Sequence, residues 1–532
     1  MARPTPVAAP VRAEAPSVSR GATEPDARRS GSPTADRTAA VLRVVLLVVA
    51  IAFVAVYVAI AVARMRYPYE LEWMEGGVLD HVRRVVHGHG VYSRPSLSFT
   101  PYLYTPLYYY VAAVPAKLFG VSFSSLRLVS FLASLGAFGC VGLLVHRETR
   151  DPFASVVAGC ILAACFRRGG AWFDLARIDS LFLALTLAGL LLVRRARSRP
   201  AAVLAALVMA AAFFTKQEAL LPAVAAVPLL WRARRTLAGW YAGVLAVAVG
   251  GVSVVFEAVS HGWFSFYVFQ LPARHEIVGR EWWAFWTEDL LAPLAVATLV
   301  GALGLWWAST HHDVDDDGVR VVWFWGPVTA ALVLAAYTGR LHSGGYDNVL
   351  LPLFAALALT CGLGIHAART RRLPGLRAWT ATAVLLLLVA QLATLTYDPT
   401  KQIPSSRDRA EGAALVARLR ALPGRVYLPG HGAYLELAGK PGVVQSAAFE
   451  DVLRAKLGST SRDLGRALHD AIAHQRYDWV VVDSAETFSY LPQGFRRAYV
   501  RVGYVGDRHH PLLPLTGTPT GPLTVWVPRP AA

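Results

Sequence analysis

The sequence predicts a mainly α-helical, polytopic membrane bundle with a small α/β domain at its C-terminal end, and three observations carry that reading. The chain of 532 residues is 55% hydrophobic with a mean hydropathy of +0.42, above the about 45–50% of soluble domains. The excess sits in blocks of roughly 15–25 residues, the length that crosses a bilayer core, and the blocks do not alternate as barrel strands do. The third observation is charge. The formal balance is +17, but the arginines gather at block ends: Arg194, Arg195, Arg197 and Arg199; Arg232, Arg234 and Arg235; Arg369, Arg371 and Arg372. That distribution sets orientation in a bilayer and argues against a nucleic-acid partner.

Residues 1–40 lack an apolar period and are expected as a disordered cytoplasmic tail. The membrane domain is expected over 41–397, with its first span at Val41 to Val62 and a first outer loop at 64–106. Further spans are predicted over Leu107–Phe119, Leu126–Val145, Phe153–Phe166, Ile178–Val193, Ala201–Phe214, Ala219–Leu230, Leu237–Val259, Leu290–Trp307, Val321–Tyr337, Val349–His366 and Ala378–Leu395, for about 11–13 in all. Placing the arginine clusters in the cytoplasm puts the outer loop, Arg177–Asp179, Lys216–Glu218, 260–288 and 339–348 on the far side. The two spans inside 107–145 then give the wrong parity, so one of them is re-entrant or broken into two. Cys140, Cys160, Cys165 and Cys361 fall in apolar blocks and read as small buried hydrophobes.

From 398 to 532 the hydropathy falls. RVYLPG (425–430) and YDWVVVDS (477–484) read as strands, and EGAALVARLRAL (411–422) and SRDLGRALHDAIAHQ (461–475) as amphipathic helices, giving an extracytoplasmic α/β domain.

Candidate chemistry concentrates on that outer side. The first loop holds Glu70, Glu72 and Glu75 within six residues. Glu72 and Glu75 share a face on a helix, and Val78, Leu79, Val82, Val85 and Val86 continue a helical stripe, as for a helix lying on the membrane surface. FTPYLYTPLYYY (99–110), with Tyr104, offers rings for a sugar or isoprenoid. FDLARIDS places Arg177 and Asp179 at the mouth of a span, where charge must face the bundle interior or water. FTKQEA interrupts an apolar run with Lys216, a cation suited to a phosphate. The aromatic loop 263–286 carries Arg274 and His275 and reads as a mobile cover. RLHSGGYDN brings His342, Tyr346 and Asn348 to a Gly-Gly turn, which can lie close to a phosphate or sugar. HHDVDDDG (311–318) has only part of a calcium-loop pattern and falls on the cytoplasmic side; no metal or other cofactor is expected.

The order of these stations resembles the membrane-embedded GT-C glycosyltransferases, in particular the protein O-mannosyltransferase-like and lipid A aminoarabinose or galacturonic acid transferase-like members. The likeness spans roughly residues 41–395 and rests on LEWMEGG, HGHGVY, TPLYYYVAAVPAKLFGVSFSSLRLVS, RIDS and FTKQEA in succession. The resemblance implies inverting transfer of a sugar from a polyprenyl-phosphate donor to an acceptor hydroxyl of a glycan, lipid or protein, on the outer face of the inner (plasma) membrane. It implies an acidic residue of the first loop as general base, Glu75 matching best and Glu72 next, and it sets Lys216, Arg177 and His275 on the donor. The chain departs from the family at Met74, where many members carry Asp, and at Gly76 and Gly77, where they carry Tyr. The residue types fit this chemistry independently: a base for the nucleophile and cations for the leaving phosphate. A transporter of lipid-linked saccharide should show inverted repeats, which the sequence lacks. A non-catalytic assembly partner would have no reason to keep Glu72, Glu75, Lys216 and Arg177.

Overall fold

Eleven helices carry the chain end to end through one bundle in the computed structural model, which describes residues 33–310, 321–370, 379–484 and 491–530. They are α1 (Pro33–Met65), α4 (Phe123–Thr149), α5 (Pro152–Ala164), α6 (Asp179–Arg195), α7 (Arg199–Thr215), α8 (Leu220–Ala233), α9 (Arg235–Val259), α10 (Ala292–Thr310), α11 (Val321–Leu341), α12 (Leu351–Thr370) and α13 (Thr380–Thr394). Two further helices, α2 (Glu75–Val86) and α3 (Leu107–Phe119), lie between α1 and α4. Among the described residues, six helical stretches are long and apolar enough to cross a membrane, Arg37–Met65, Phe123–Thr149, Arg235–Val259, Glu281–Thr310, Val321–Leu341 and Asp347–Thr370. The chain is a multi-pass membrane protein. α12 is its central post: every residue from Leu351 to Ala368 except Leu357 is buried.

Local chemistry sets the helix ends. Asp151 caps α5 by accepting the Ala154 N–H at 3.2 Å, with Pro152 in the first turn. Ser198 caps α7 with Pro200 following. Both are favoured starts, because the side chain satisfies an orphan donor and proline's missing N–H is not needed there. These caps lie at one rim, where Arg194 pairs with Glu148 at 2.6 Å and Arg234 donates to the Ala196 carbonyl at 2.8 Å. The opposite rim carries the loops 66–106, 165–178, 216–219, 260–291 and 342–350.

Two expectations change. Helix α1 begins at Pro33, so residues 33–40 of the expected tail are helical; residues 1–32 lie outside the described residues, as do HHDVDDDG, Arg371 and Arg372. Leu107–Phe119 is a helix but not a traverse. At its start the Thr105 hydroxyl donates to the Phe213 carbonyl, 2.9 Å, at the end of α7. Just past its end the Ser124 hydroxyl donates to the Met65 carbonyl, 2.6 Å, at the end of α1. Both ends of α3 therefore sit at the same rim, and the odd number of traverses follows without a broken span.

Beyond α13 the chain forms a domain capping that rim. Its helices are α14 (Ser406–Ala421), α15 (Gly432–Leu437), α16 (Ser446–Ala455) and α17 (Gly458–Ala473). Its strands β1 (Val426–Tyr427), β2 (Trp479–Asp483), β3 (Tyr499–Tyr504) and β4 (Pro522–Pro528) make a sheet of order β1-β2-β4-β3. β1 and β2 are parallel, joined through three helices, and the other pairings are antiparallel. The domain and the first loop share one apolar core, in which Leu71, Val78, Val82 and Tyr102 join Leu435, Val452 and Val480. So α2, expected to lie on the membrane surface, is buried instead between α3 and α15. Its apolar stripe faces protein, and Arg83 pairs with Glu436 across the seam.

Candidate active site

Three acidic side chains enter the capped rim from the first loop, and each meets a different partner. Glu75 is fully buried and takes two bonds from Arg127, Nη2 to Oε2 at 2.6 Å and Nε to Oε1 at 3.0 Å. The backbone N–H groups of Ala176 and Leu71 add one bond each, both 2.7 Å. Burial pushes the Glu75 carboxyl up, but Arg127 and these bonds outweigh it and hold it below the ordinary carboxylate value. Arg127 also donates to the carbonyls of Arg64, Tyr67 and Tyr69 at 3.2, 2.7 and 2.7 Å. This pair ties the loop to α4 and leaves neither group available.

Glu72 is also fully buried, but only Oε2 is engaged, by Arg177 Nη1 at 2.9 Å; Oε1 has no partner among the described residues. Burial, opposed by Arg177, pushes its carboxyl up to about 7. Glu70 bonds to His431 Nδ1 of the capping domain, and His431 Nε2 lies 3.6 Å from Asp483. Burial raises the Glu70 and Asp483 carboxyls and lowers His431.

Around this acidic loop the span mouths supply cations. Arg177 stands just before α6; its Nη2 donates to the Tyr104 hydroxyl at 3.1 Å, and its guanidinium lies over the rings of Trp172 and Tyr104. Lys216, between α7 and α8, holds Asp179 at 3.1 Å and faces Glu218 at 3.6 Å. Asn348 Nδ2 donates to the same Asp179 oxygen at 3.0 Å. Burial disfavours the charge on both cations, but the neighbouring carboxylates prevail and keep Arg177 and Lys216 protonated.

Arg177 and Lys216 line a cavity of about 400 Å³. Trp73, Tyr104, Gln217, His275, His342, Tyr346 and Asn348 line it too, with Asp451 and Arg454 of α16. The sequence-derived candidates Lys216, Arg177, Tyr104, His275, His342, Tyr346 and Asn348 thus converge, although they come from separate loops. Asp179 is one layer behind, reached through Lys216. Glu72 is behind Arg177 and next to Trp73. Arg274 is exposed and does not line the cavity, and Glu75 is locked away from it. The loop 263–286 forms one side, stitched by Gln217 to the Val268 carbonyl, 3.4 Å, and by an Ile277–His342 bridge.

Several participants escaped sequence reasoning. Arg127 carried a signal, being a lone arginine inside an apolar span. His431, Asp451 and Arg454 carried none, because their roles arise from where the capping domain lands. Among the described residues, no cluster of three or more His, Cys, Asp or Glu could hold a metal ion.

Residues 101–256 match the family model described as dolichyl-phosphate-mannose-protein mannosyltransferase. No curated protein matches the chain. The crystal structure of ArnT from Cupriavidus metallidurans bound to undecaprenyl phosphate is similar with a TM-score of 0.57 at 14% identity, covering 90% of this chain and 97% of that one. The apo form of ArnT from the same organism gives 0.53 at 13% identity over the same shares. The helical bundle, the acidic loop between its first traverses and the cap over one rim together make this the GT-C fold, the architecture of the GT-C superfamily of membrane glycosyltransferases.

Proposed function

We propose that the protein is a membrane glycosyltransferase that moves a sugar from a polyprenyl-phosphate donor to an acceptor hydroxyl, with inversion at the sugar carbon. The observation that carries this reading is one cavity at the capped rim, lined by Lys216 and Arg177, with the half-engaged Glu72 directly behind Arg177. The similar ArnT structure bound to undecaprenyl phosphate supports the choice of donor class.

In this mechanism Glu72, not Glu75, is the general base. A base works best with a pKa near the operating pH, and Glu72 lies near 7 while Glu75 is held low by Arg127. The acceptor oxygen attacks the sugar's anomeric carbon as its proton passes to Glu72, one layer behind the wall at Arg177, through a bridging water. The bond to the phosphate oxygen breaks, and Lys216 and Arg177 stabilise the negative charge left on the polyprenyl phosphate. Asp179 and Asn348 hold Lys216 in place. The arginine-rich opposite rim is cytoplasmic in this reading, so transfer takes place on the extracytoplasmic face of the plasma membrane. The acceptor is a glycan, lipid or protein hydroxyl.

The test is transfer in membranes from a radiolabelled polyprenyl-phosphate sugar. Glu72→Gln should cut kcat on the order of 10²–10⁴-fold while the protein remains folded and binds donor. Wild-type turnover in Glu72→Gln would remove Glu72 as the base.

A further inference from the structure

The wall of the cavity opposite Lys216 comes from the capping domain. Helix α16 presents Asp451, only 8% exposed, toward the cavity, and Arg454 Nη2 donates to its Oδ1 at 2.7 Å. His275 Nε2, from the 260–291 loop, faces the same oxygen at 3.5 Å, too long for a hydrogen bond. Among the described residues, His275 Nε2, His342 Nδ1, Gln217 Oε1, Trp73 Nε1, Glu218 Oε2 and Arg177 Nε are all buried without a hydrogen-bond partner, and their six side chains all line this one cavity. Buried polar atoms are nearly always paired, so six orphans around one space mark a site suited to a polar ligand. They include both donors and acceptors, as a ring of hydroxyls requires. Trp73, Tyr104 and Tyr346 add the aromatic surface on which the apolar face of a sugar rests.

The charges sort differently. Lys216 faces Asp179 and Glu218, Arg177 faces Glu72, and Asp451 faces Arg454. Each has an opposite charge in the wall or one layer behind it, so these charges are balanced before a sugar enters.

We propose that α16 forms the sugar-selecting wall, with Asp451 and His275 reading ring hydroxyls, and that the ring it takes is an uncharged, hydroxyl-rich sugar. This rests on the lipid-linked-sugar reading above. The capping domain is then part of the donor site, and sugar choice is divided between a membrane loop and a domain roughly 180 residues further along the chain.

The test uses the full chain in lipid nanodiscs and four probes: a polyprenyl phosphate without sugar, and the same lipid carrying a neutral hexose, a hexuronic acid or an aminopentose. The neutral hexose conjugate should bind at least about ten-fold tighter than the bare lipid phosphate, as for a site that pairs its orphans with substrate hydroxyls. Asp451→Asn and His275→Gln should each remove most of that advantage and leave binding of the bare lipid phosphate unchanged, which also reports that the variants are folded. Equal weakening of both probes, or preference for a charged sugar, overturns the proposal. Failure of the wild type to bind any of the four lipids sinks the donor reading itself, and this inference with it.

Discussion

Arg127 and Glu75 meet through two parallel hydrogen bonds, 2.6 and 3.0 Å, with both side chains at zero exposure. Two charges 52 positions apart fix the first loop on α4, and this makes Glu75 structural. Removing one partner from a buried pair strands the other charge, at about 3–5 kcal/mol. Arg127→Ala should therefore lower the thermal midpoint of the purified protein sharply and reduce its yield, and Glu75→Gln should do the same more mildly, since the amide oxygen still accepts. A wild-type midpoint in Arg127→Ala would contradict the structural assignment.

That pair also shows where the sequence stops being informative. Periodicity locates α2, since Val78, Leu79 and Val82 repeat at helical spacing and all three are buried. Spacing cannot choose between Glu72 and Glu75, and the shared helix face expected for them does not form: α2 begins at Glu75, while Glu72 lies outside it in a bridge to Thr516. The choice is made by Arg127 and Arg177, brought in from 52 and 105 positions away. The span-like composition of α3 misled for a related reason. A largely apolar helix of 13 residues looks alike whether it crosses a bilayer or lies along its edge, and only the contacts of Thr105 and Ser124 show which. The cavity lining was largely readable from polar residues interrupting apolar runs, as at Lys216 and Arg177. The contribution of α16 was not, because an amphipathic helix does not reveal what it will be packed against.

Gly76 and Gly77 explain another departure from the resembled family, which carries tyrosines there. A Cβ on Gly76 would collide with Glu70 and with Ala433 of α15, and one on Gly77 with the Tyr102 hydroxyl. Helix propensity alone favours alanine at both positions by about 1 kcal/mol. Overpacking costs about 1–3 kcal/mol and should prevail. Gly76→Ala and Gly77→Ala are expected to lower the thermal midpoint, and a raised midpoint would show that α2 does not lie this close to its neighbours.

His431 clasps the cap to the loop that carries Glu72. It bonds Glu70, sits 3.6 Å from Asp483, and its ring stacks on Tyr434. His431→Ala takes the side-chain partner from the buried Glu70 carboxyl and the nearby imidazole from Asp483, which keeps only the Thr520 hydroxyl, whereas Glu70→Gln keeps an acceptor for Nδ1. The alanine variant should therefore be the more damaging, with the cap cut faster in limited proteolysis and transfer reduced along with it. Equal protease resistance in the two variants would show that His431 does not hold the cap down.

The pH profile of transfer tests the base directly. Glu72 must be ionised to accept a proton, so activity is present above its pKa and lost below it. With the carboxyl at about 7, kcat/KM should be level in mildly alkaline buffer and fall about ten-fold per pH unit once the pH is well below 7. Arg177 is the main influence holding this value down against burial. Arg177→Gln should therefore move the midpoint to higher pH, whatever it does to the maximal rate, because the carboxylate loses its closest counter-charge. The expected shift has a fixed sign: a midpoint that stays in place or moves to lower pH would mean that the titrating group is not Glu72.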